Sequence, residues 1–119
     1  MSGIRRETFE DVQLISGRFP YHSHVVTVES GQNLSRGAVL GKVTASGKYK
    51  LSASAATDGS QTAVVILAED VDATSADTDA IVLITASVVA DALIYGEGHT
   101  QETVWESLAA NSIYIIEVL

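Results

Sequence analysis

Three histidines are the first residues of this sequence that could do chemistry, because an imidazole can ligate a metal or carry a proton. His22 and His24 are two residues apart, so on a β-strand both would face the same side, as metal ligands sometimes do. His99 could supply a third imidazole only from far along the chain, beside Gly98. Because isolated histidine pairs usually lack the other ligands of a zinc site, we expect a structural role, or none.

A second candidate is a group of aspartates that suggests calcium: Asp70, Asp72, Asp77 and Asp79. An EF-type calcium loop needs alternating ligands, a central glycine and a terminal bidentate glutamate. The stretch contains no glycine and its spacing differs from that pattern. We therefore predict solvated acids on a hairpin loop.

Catalytic and nucleotide-binding motifs are absent from the sequence. Serine and threonine are abundant, yet there is no G-x-S-x-G elbow, P-loop or G-x-G-x-x-G fingerprint. Lys42 lies in a glycine-rich stretch but lacks the neighbours that lipoyl and biotinyl domains place around their lysine. We predict no catalytic residue, no cofactor and no metal.

The length and composition indicate one β-rich domain. A chain of 119 residues can bury one modest core, and its Val, Ile and Thr content favours strands. The absence of cysteine excludes disulfides and thiolate chemistry. The longest apolar run, residues 80–90, is shorter than the roughly 20 residues that span a bilayer, and the first residues lack the apolar core of a secretion signal. We expect a soluble protein with no membrane partner.

Charge is distributed unevenly along the chain. Seven Lys and Arg and four acids precede Leu51, whereas eleven acids and no Lys or Arg follow, for a net charge of −8. Such an acidic body argues against nucleic acid as a partner, because phosphate contacts need clustered cations. The acids would keep a β-protein soluble, and the polarity could also orient docking.

The elements of the predicted domain begin with a strand over residues 24–28 and a glycine-punctuated ribbon over residues 30–61. Turns are expected at Thr44–Gly47 and at Asp58-Gly59. Residues 62–70 and 80–89 are predicted to form strands that pair antiparallel across a polar loop at 71–79.

The C-terminal part changes to a helical period. Thr100 is the expected N-cap, and the helix should run to about Ala110 and stop at Asn111. Trp105 falls on the predicted apolar face, so we expect it in the core. Residues 112–119 are predicted to form the last strand.

Residues 1–24 differ from the domain, which we place at residues 25–119. They combine charges with scattered apolar residues and the only proline, and their spacing fits neither a clean helix nor a clean strand. We interpret them as an extended arm docked on a partner; a helix packed on the chain's own domain accounts for the pattern equally well.

The order of several short motifs resembles the head decoration protein D family of lambda-type tailed phages. The motifs are Gly37-Ala38-Val39-Leu40-Gly41-Lys42-Val43, Gly47-Lys48-Tyr49, Thr57-Asp58-Gly59-Ser60-Gln61 and Ala63-Val64-Val65-Ile66-Leu67-Ala68. The closing helix and Ile113-Tyr114-Ile115 are similar to the C-terminal end of that family. The resemblance implies a mainly β fold: a β-clip-like bent ribbon or incomplete barrel with one or two short helices and an N-terminal arm.

The same resemblance implies a non-enzymatic decoration, or cement, protein. Members bind the outer surface of the expanded capsid as homotrimers at three-fold and quasi-three-fold positions and stabilise the shell against internal DNA pressure. The partners would be the major capsid protein and further copies of the chain, and synthesis would take place in the host bacterial cytoplasm. The arm would contact the capsid, and we expect those contacts at Arg5, Arg6, Thr8, Phe9, Val12, Leu14, Ile15, Arg18, Phe19 and Pro20.

Two functions of other classes remain open from the sequence. Trimeric nucleotide hydrolases also use β-clip folds, but all Lys and Arg lie at or before Lys50, which leaves few phosphate ligands. An adhesin-like or carbohydrate-binding module is the other alternative.

Overall fold

The structure is a computed structural model that describes residues 21–116. These residues form eight strands, one α-helix and a short 3₁₀ turn at Ala90–Ala92. The strands are β1 (His22–Val28), β2 (Gln32–Leu34), β3 (Val39–Lys42), β4 (Tyr49–Leu51), β5 (Ala63–Leu67), β6 (Val71–Ala73), β7 (Thr78–Val89) and β8 (Ile113–Ile116). The helix, α1, spans Gln101–Ala110.

Five of the strands form an incomplete barrel in the order β1-β4-β3-β5-β7, and β7 pairs back to β1. Strand β1 closes the barrel through two ladders of unequal length. On one side it pairs with β7 along its whole length, from His22 opposite Thr85 to Val28 opposite Thr78. On the other side, β1 meets β4 only at Val28 and Tyr49. The predicted mainly β fold with an incomplete barrel and a short helix is confirmed.

Alternating side chains divide the described core into two clusters, since neighbouring residues of a strand face opposite sides of the sheet. Leu40 and Leu67 belong to the cluster inside the barrel. Val39 and Ile66, each next to one of them in sequence, belong to a second cluster that includes Leu108 of α1. The helix therefore covers the outer face of the barrel wall.

The ends of α1 lie where the sequence predicts them. The backbone N–H of Thr100, the N-cap, donates to Thr103 Oγ1 at 2.7 Å. At the other end, Asn111 is the C-cap, and its Nδ2 donates to the carbonyl oxygen of Ser107 at 2.8 Å. Both contacts satisfy backbone groups that a helix terminus leaves unpaired.

The prediction that Trp105 belongs to the core is wrong, because its side chain is 53% exposed. The buried residues of α1 are Val104 and Leu108, which lie one turn apart. At 3.6 residues per turn, Trp105 points about 80° away from the middle of that buried stripe. The helix is rotated so that the indole lies at the edge of its packed face.

The prediction of a polar loop at residues 71–79 is also wrong. Val71–Ala73 forms β6, which pairs antiparallel with β2, and β7 begins at Thr78. Val71 and Ala73 are buried while Asp72 is exposed, which is the alternation of a half-buried strand. Three residues are too few to reveal this period in the sequence.

The predicted turns and the strand pairing across the middle of the chain are confirmed. The Thr44–Gly47 turn is closed by the N–H of Val43 donating to the carbonyl of Lys48 at 2.8 Å, and it joins β3 to β4. β5 and β7 pair antiparallel through Ile66 opposite Leu83 and Leu67 opposite Val82.

Candidate interaction surfaces

The ten predicted capsid-contacting residues lie within residues 1–20, outside the described part of the chain. The structure shows where this segment joins the domain. Tyr21 is 48% exposed and directly precedes β1, whose first residue, His22, pairs with Thr85. β1 begins two residues before the predicted strand, so the end of the predicted arm belongs to the barrel wall.

The three histidines occupy separate environments. His22 and His24 are exposed on β1. His99 Nε2 donates to the carbonyl oxygen of Gln61, and its Nδ1 lies 2.9 Å from Thr103 Oγ1. His99 thus ties the start of α1 to the segment before β5, which is a structural role. Within residues 21–116, no group of three or more His, Asp or Glu side chains is placed to hold a metal ion.

The four clustered aspartates accept separate hydrogen bonds from different parts of the chain. Asp77 accepts from the backbone N–H of Ser30 at 2.9 Å and from Lys48 Nζ at 2.6 Å. The other three carboxylates accept from Arg36 N (Asp70), Thr74 N and Oγ1 (Asp72) and Thr27 Oγ1 (Asp79). These acids are exposed, as predicted, but they do not share one hairpin loop: Asp72 lies on β6, and Asp79 lies on β7 opposite Thr27 of β1.

Asp58 stabilises the turn before β5. Its Oδ1 accepts from both the backbone N–H and the hydroxyl of buried Ser60, at 3.0 and 2.6 Å, and its Oδ2 lies 3.1 Å from Lys50 Nζ. These hydrogen bonds, first from Ser60 and then from Lys50, hold the pKa of the Asp58 carboxyl well below its ordinary value of 3.8.

Replacing the Asp58 carboxylate with an amide is expected to alter stability in a pH-dependent way. Because the folded-state pKa of Asp58 is lowered, its charge contributes stability that is present above about pH 4 and lost as the pH falls through the folded-state value. Asp58→Asn should therefore melt a few degrees below the unmodified protein at neutral pH, and the difference should shrink in strong acid.

Thermal melts followed by circular dichroism over this pH range measure the effect. Asp91→Asn is the matched control, since the exposed Asp91 carboxylate forms no hydrogen bond or ion pair within residues 21–116. A difference for Asp58→Asn that stays constant with pH would contradict the assignment of stability to the ionised carboxylate.

One exposed apolar surface lies on the outer face of the longest ladder. Val25 of β1 is 58% exposed and pairs directly with Ile81 of β7, which is 39% exposed. We call this pair the β1–β7 patch. It lies on the strand that Tyr21 and the N-terminal segment lead into.

A second surface is an open cleft of about 330 Å³, which we call the Lys42 cleft. It combines three aliphatic side chains with an ammonium, a phenol and an amide. Its lining residues are Lys42, Tyr49, Val64, Val65, Ile84 and Asn111.

The third surface is on α1, where exposed Trp105 is accompanied by two exposed acids, Glu102 and Glu106. We call these three residues the Trp105 ridge. Gln101, Glu102 and Trp105 also line a shallow groove of about 290 Å³. The sequence carried a signal for this surface, because Glu102 and Glu106 flank the tryptophan on the helix and charged residues are rarely buried. The β1–β7 patch had no such signal, since it depends on a pairing between distant strands.

The described domain belongs to the class of small β-barrel modules. Its β1–β7 patch, Lys42 cleft and Trp105 ridge place apolar side chains at the surface, where a partner can cover them. The described residues contain no helix long and apolar enough to cross a bilayer.

The comparison with protein families agrees with this class. The family model described as Bacteriophage lambda head decoration protein D matches residues 4–113, almost the whole chain. The chain therefore belongs to this family, and the resemblance inferred from the sequence is confirmed. A search of curated proteins finds no match. Membership makes the chain a phage head decoration protein, a structural component of the virion capsid.

Proposed function

We propose that the chain is a cement protein that binds the outside of the expanded head as trimers at three-fold and quasi-three-fold sites. There it holds neighbouring capsomers together against the pressure of the packaged DNA. The observation that carries this proposal is the extent of the family match, which starts at residue 4 and so includes most of the arm as well as the domain.

The arm is the proposed contact with the major capsid protein. It would add as a strand to an exposed sheet edge of the capsid protein, with backbone hydrogen bonds for affinity and apolar side chains in pockets. Its apolar residues suit this role: Phe9, Val12, Leu14, Ile15 and Phe19. The three arms of one trimer would then bind firmly through avidity, even where each arm alone binds weakly.

The point at which the arm joins the domain, before β1, supports one side of the domain as the capsid-facing side. Residues 1–20 lead through Tyr21 into β1. A bound arm would therefore bring the β1 end of the barrel next to the shell. The β1–β7 patch lies on that strand pair and exposes Val25 and Ile81. We propose that this patch packs against the capsid protein, which would remove its apolar side chains from water.

Co-sedimentation with expanded and unexpanded empty heads of the cognate phage tests the proposed function. We expect binding to expanded heads only, saturating at about three copies per three-fold site, because a symmetric site takes one copy per symmetry-related position. Equal binding to both forms would contradict the dependence on expansion. No binding to either form would contradict the decoration role of this chain.

A further inference from the structure

The chemistry of the Lys42 cleft indicates what would fill it. Its volume of about 330 Å³ is at the lower end of the range for sites that take small ligands, so it suits a single bulky group. Val64, Val65 and Ile84 provide an apolar surface, and the polar groups of Lys42, Tyr49 and Asn111 share the lining.

Lys42 differs from the other lysines of the described chain. Lys48 pairs with Asp77 at 2.6 Å and Lys50 pairs with Asp58 at 3.1 Å. Within residues 21–116, Lys42 has no acidic partner, and no acid lines its cleft. An occupant that brings both an apolar group and a carboxylate would match this lining.

The Trp105 ridge of the same chain carries that combination. The indole is 53% exposed, and Glu102 and Glu106 lie on either side of it along the helix. Neither glutamate has a cationic partner within residues 21–116, and α1 contains no basic residue. A large exposed aromatic beside unpaired acids complements an apolar cleft beside an unpaired lysine.

We propose that the Trp105 ridge of one copy inserts into the Lys42 cleft of the next copy. The indole would pack on Val64 and Ile84 while a ridge glutamate pairs with Lys42. Trp105 does not line the cleft of its own chain, so the contact is heterologous, between two different surfaces. Such contacts form a closed ring when the rotation that relates neighbouring copies is 120°, as in a trimer. This inference therefore rests on the proposed trimer.

The absence of cysteine from the chain allows a cross-linking test of this contact. Full-length Glu106→Cys and Asn111→Cys variants each carry one thiol, on the ridge and at the cleft respectively. Each variant alone and an equal mixture are oxidised so that neighbouring thiols form disulfides, in concentrated solution and on expanded heads. A disulfide needs its two Cβ atoms within about 4.5 Å, whereas positions 106 and 111 of one chain lie about 7.5 Å apart along α1, so the reaction distinguishes unlike from like contacts. We expect cross-linked dimer from the mixture at a yield at least about tenfold above either variant alone, because only unlike surfaces meet in a heterologous contact.

Two further changes test the chemistry of the contact. Trp105→Ala, placed in the Glu106→Cys variant, should lower the cross-linking about thirtyfold, since buried tryptophans dominate such contacts. Ile94→Ala is the matched control: Ile94 is 43% exposed and lies outside both surfaces, so it should have no effect. Lys42→Glu, placed in the Asn111→Cys variant, should reduce the yield about tenfold. Glu102→Lys, placed in the Glu106→Cys variant, should restore it by reversing both charges of the pair.

The outcomes separate this contact from the decoration role. Co-sedimentation without mixture-specific cross-linking would overturn the contact and leave the proposed function intact. Cross-linking in solution without co-sedimentation would support the contact and overturn the function. Equal cross-linking of the single variants and the mixture would also overturn the contact, because it would mean that like surfaces meet.

Discussion

Removal of residues 1–20 is expected to abolish binding to expanded heads while the domain stays folded. The cut precedes Tyr21, so all of β1 and its ladder to β7 remain. We expect the melting temperature to change by less than about 4 °C, the shift that about 1 kcal/mol produces in a domain of this size. Loss of the arm removes its strand addition from every copy, so affinity for the shell should fall at least about a hundredfold.

Two sets of arm variants distinguish the sources of this affinity. Phe9→Ala or Leu14→Ala should each weaken binding about tenfold or more, mainly through faster dissociation, because burying such a side chain is worth about 1.5–3 kcal/mol. Replacing Arg5, Arg6 and Arg18 with glutamine should instead slow association and reduce its dependence on salt. Co-sedimentation and surface binding kinetics measure both, and a truncated protein that binds as well as the full chain would refute the arm hypothesis.

Alanine at Gly37 is expected to destabilise the described domain strongly, because it combines a left-handed backbone with a backbone collision. Gly37 has a φ of +98°, which costs an L-residue roughly 1–2 kcal/mol. An added Cβ would also collide with the backbone carbonyl oxygen of Ala92, and backbone cannot move aside like a side chain. With about 1–3 kcal/mol for the overpacking, Gly37→Ala should lower the free energy of unfolding by about 2–5 kcal/mol.

Gly31 provides the matched control for this prediction. Its φ of +95° is nearly the same, but an added Cβ would meet nothing within 4 Å. Gly31→Ala should therefore cost only the conformational part, about 1–2 kcal/mol. Urea unfolding of both variants gives the comparison. Equal losses would mean that the segment around Ala92 moves to accept the methyl group, and that the close approach is not a constraint.

The features that the sequence predicted correctly are local ones. The capping residues Thr100 and Asn111 act on backbone groups within four positions of themselves, so their effect is visible in the sequence. The Thr44–Gly47 turn is similarly determined by a few adjacent residues. The incomplete barrel was predictable as a class from the β-rich composition and the family resemblance.

The features that could not be predicted from the sequence depend on residues far apart in the chain. Pairing of β2 with β6 joins residues about 40 positions apart, and nothing in either three-residue strand identifies the other. The exposure of Trp105 depends on which side of α1 faces Val39 and Ile66, a choice made by packing. The capsid-contacting residues were predicted from the resemblance and lie outside the described residues, so they remain a prediction.

The pairing of β1 with β7 has a consequence for how the chain folds during synthesis. β1 leaves the ribosome early, but its partner at Thr85 follows 57 residues after Val28. At bacterial elongation rates of roughly 5–20 residues per second, β1 waits about 3–11 s for the strand that completes it. β2 and β3 also wait for the later strands β6 and β5. The arm is therefore made long before the barrel can close, and the domain can fold completely only when nearly all of the chain has been translated.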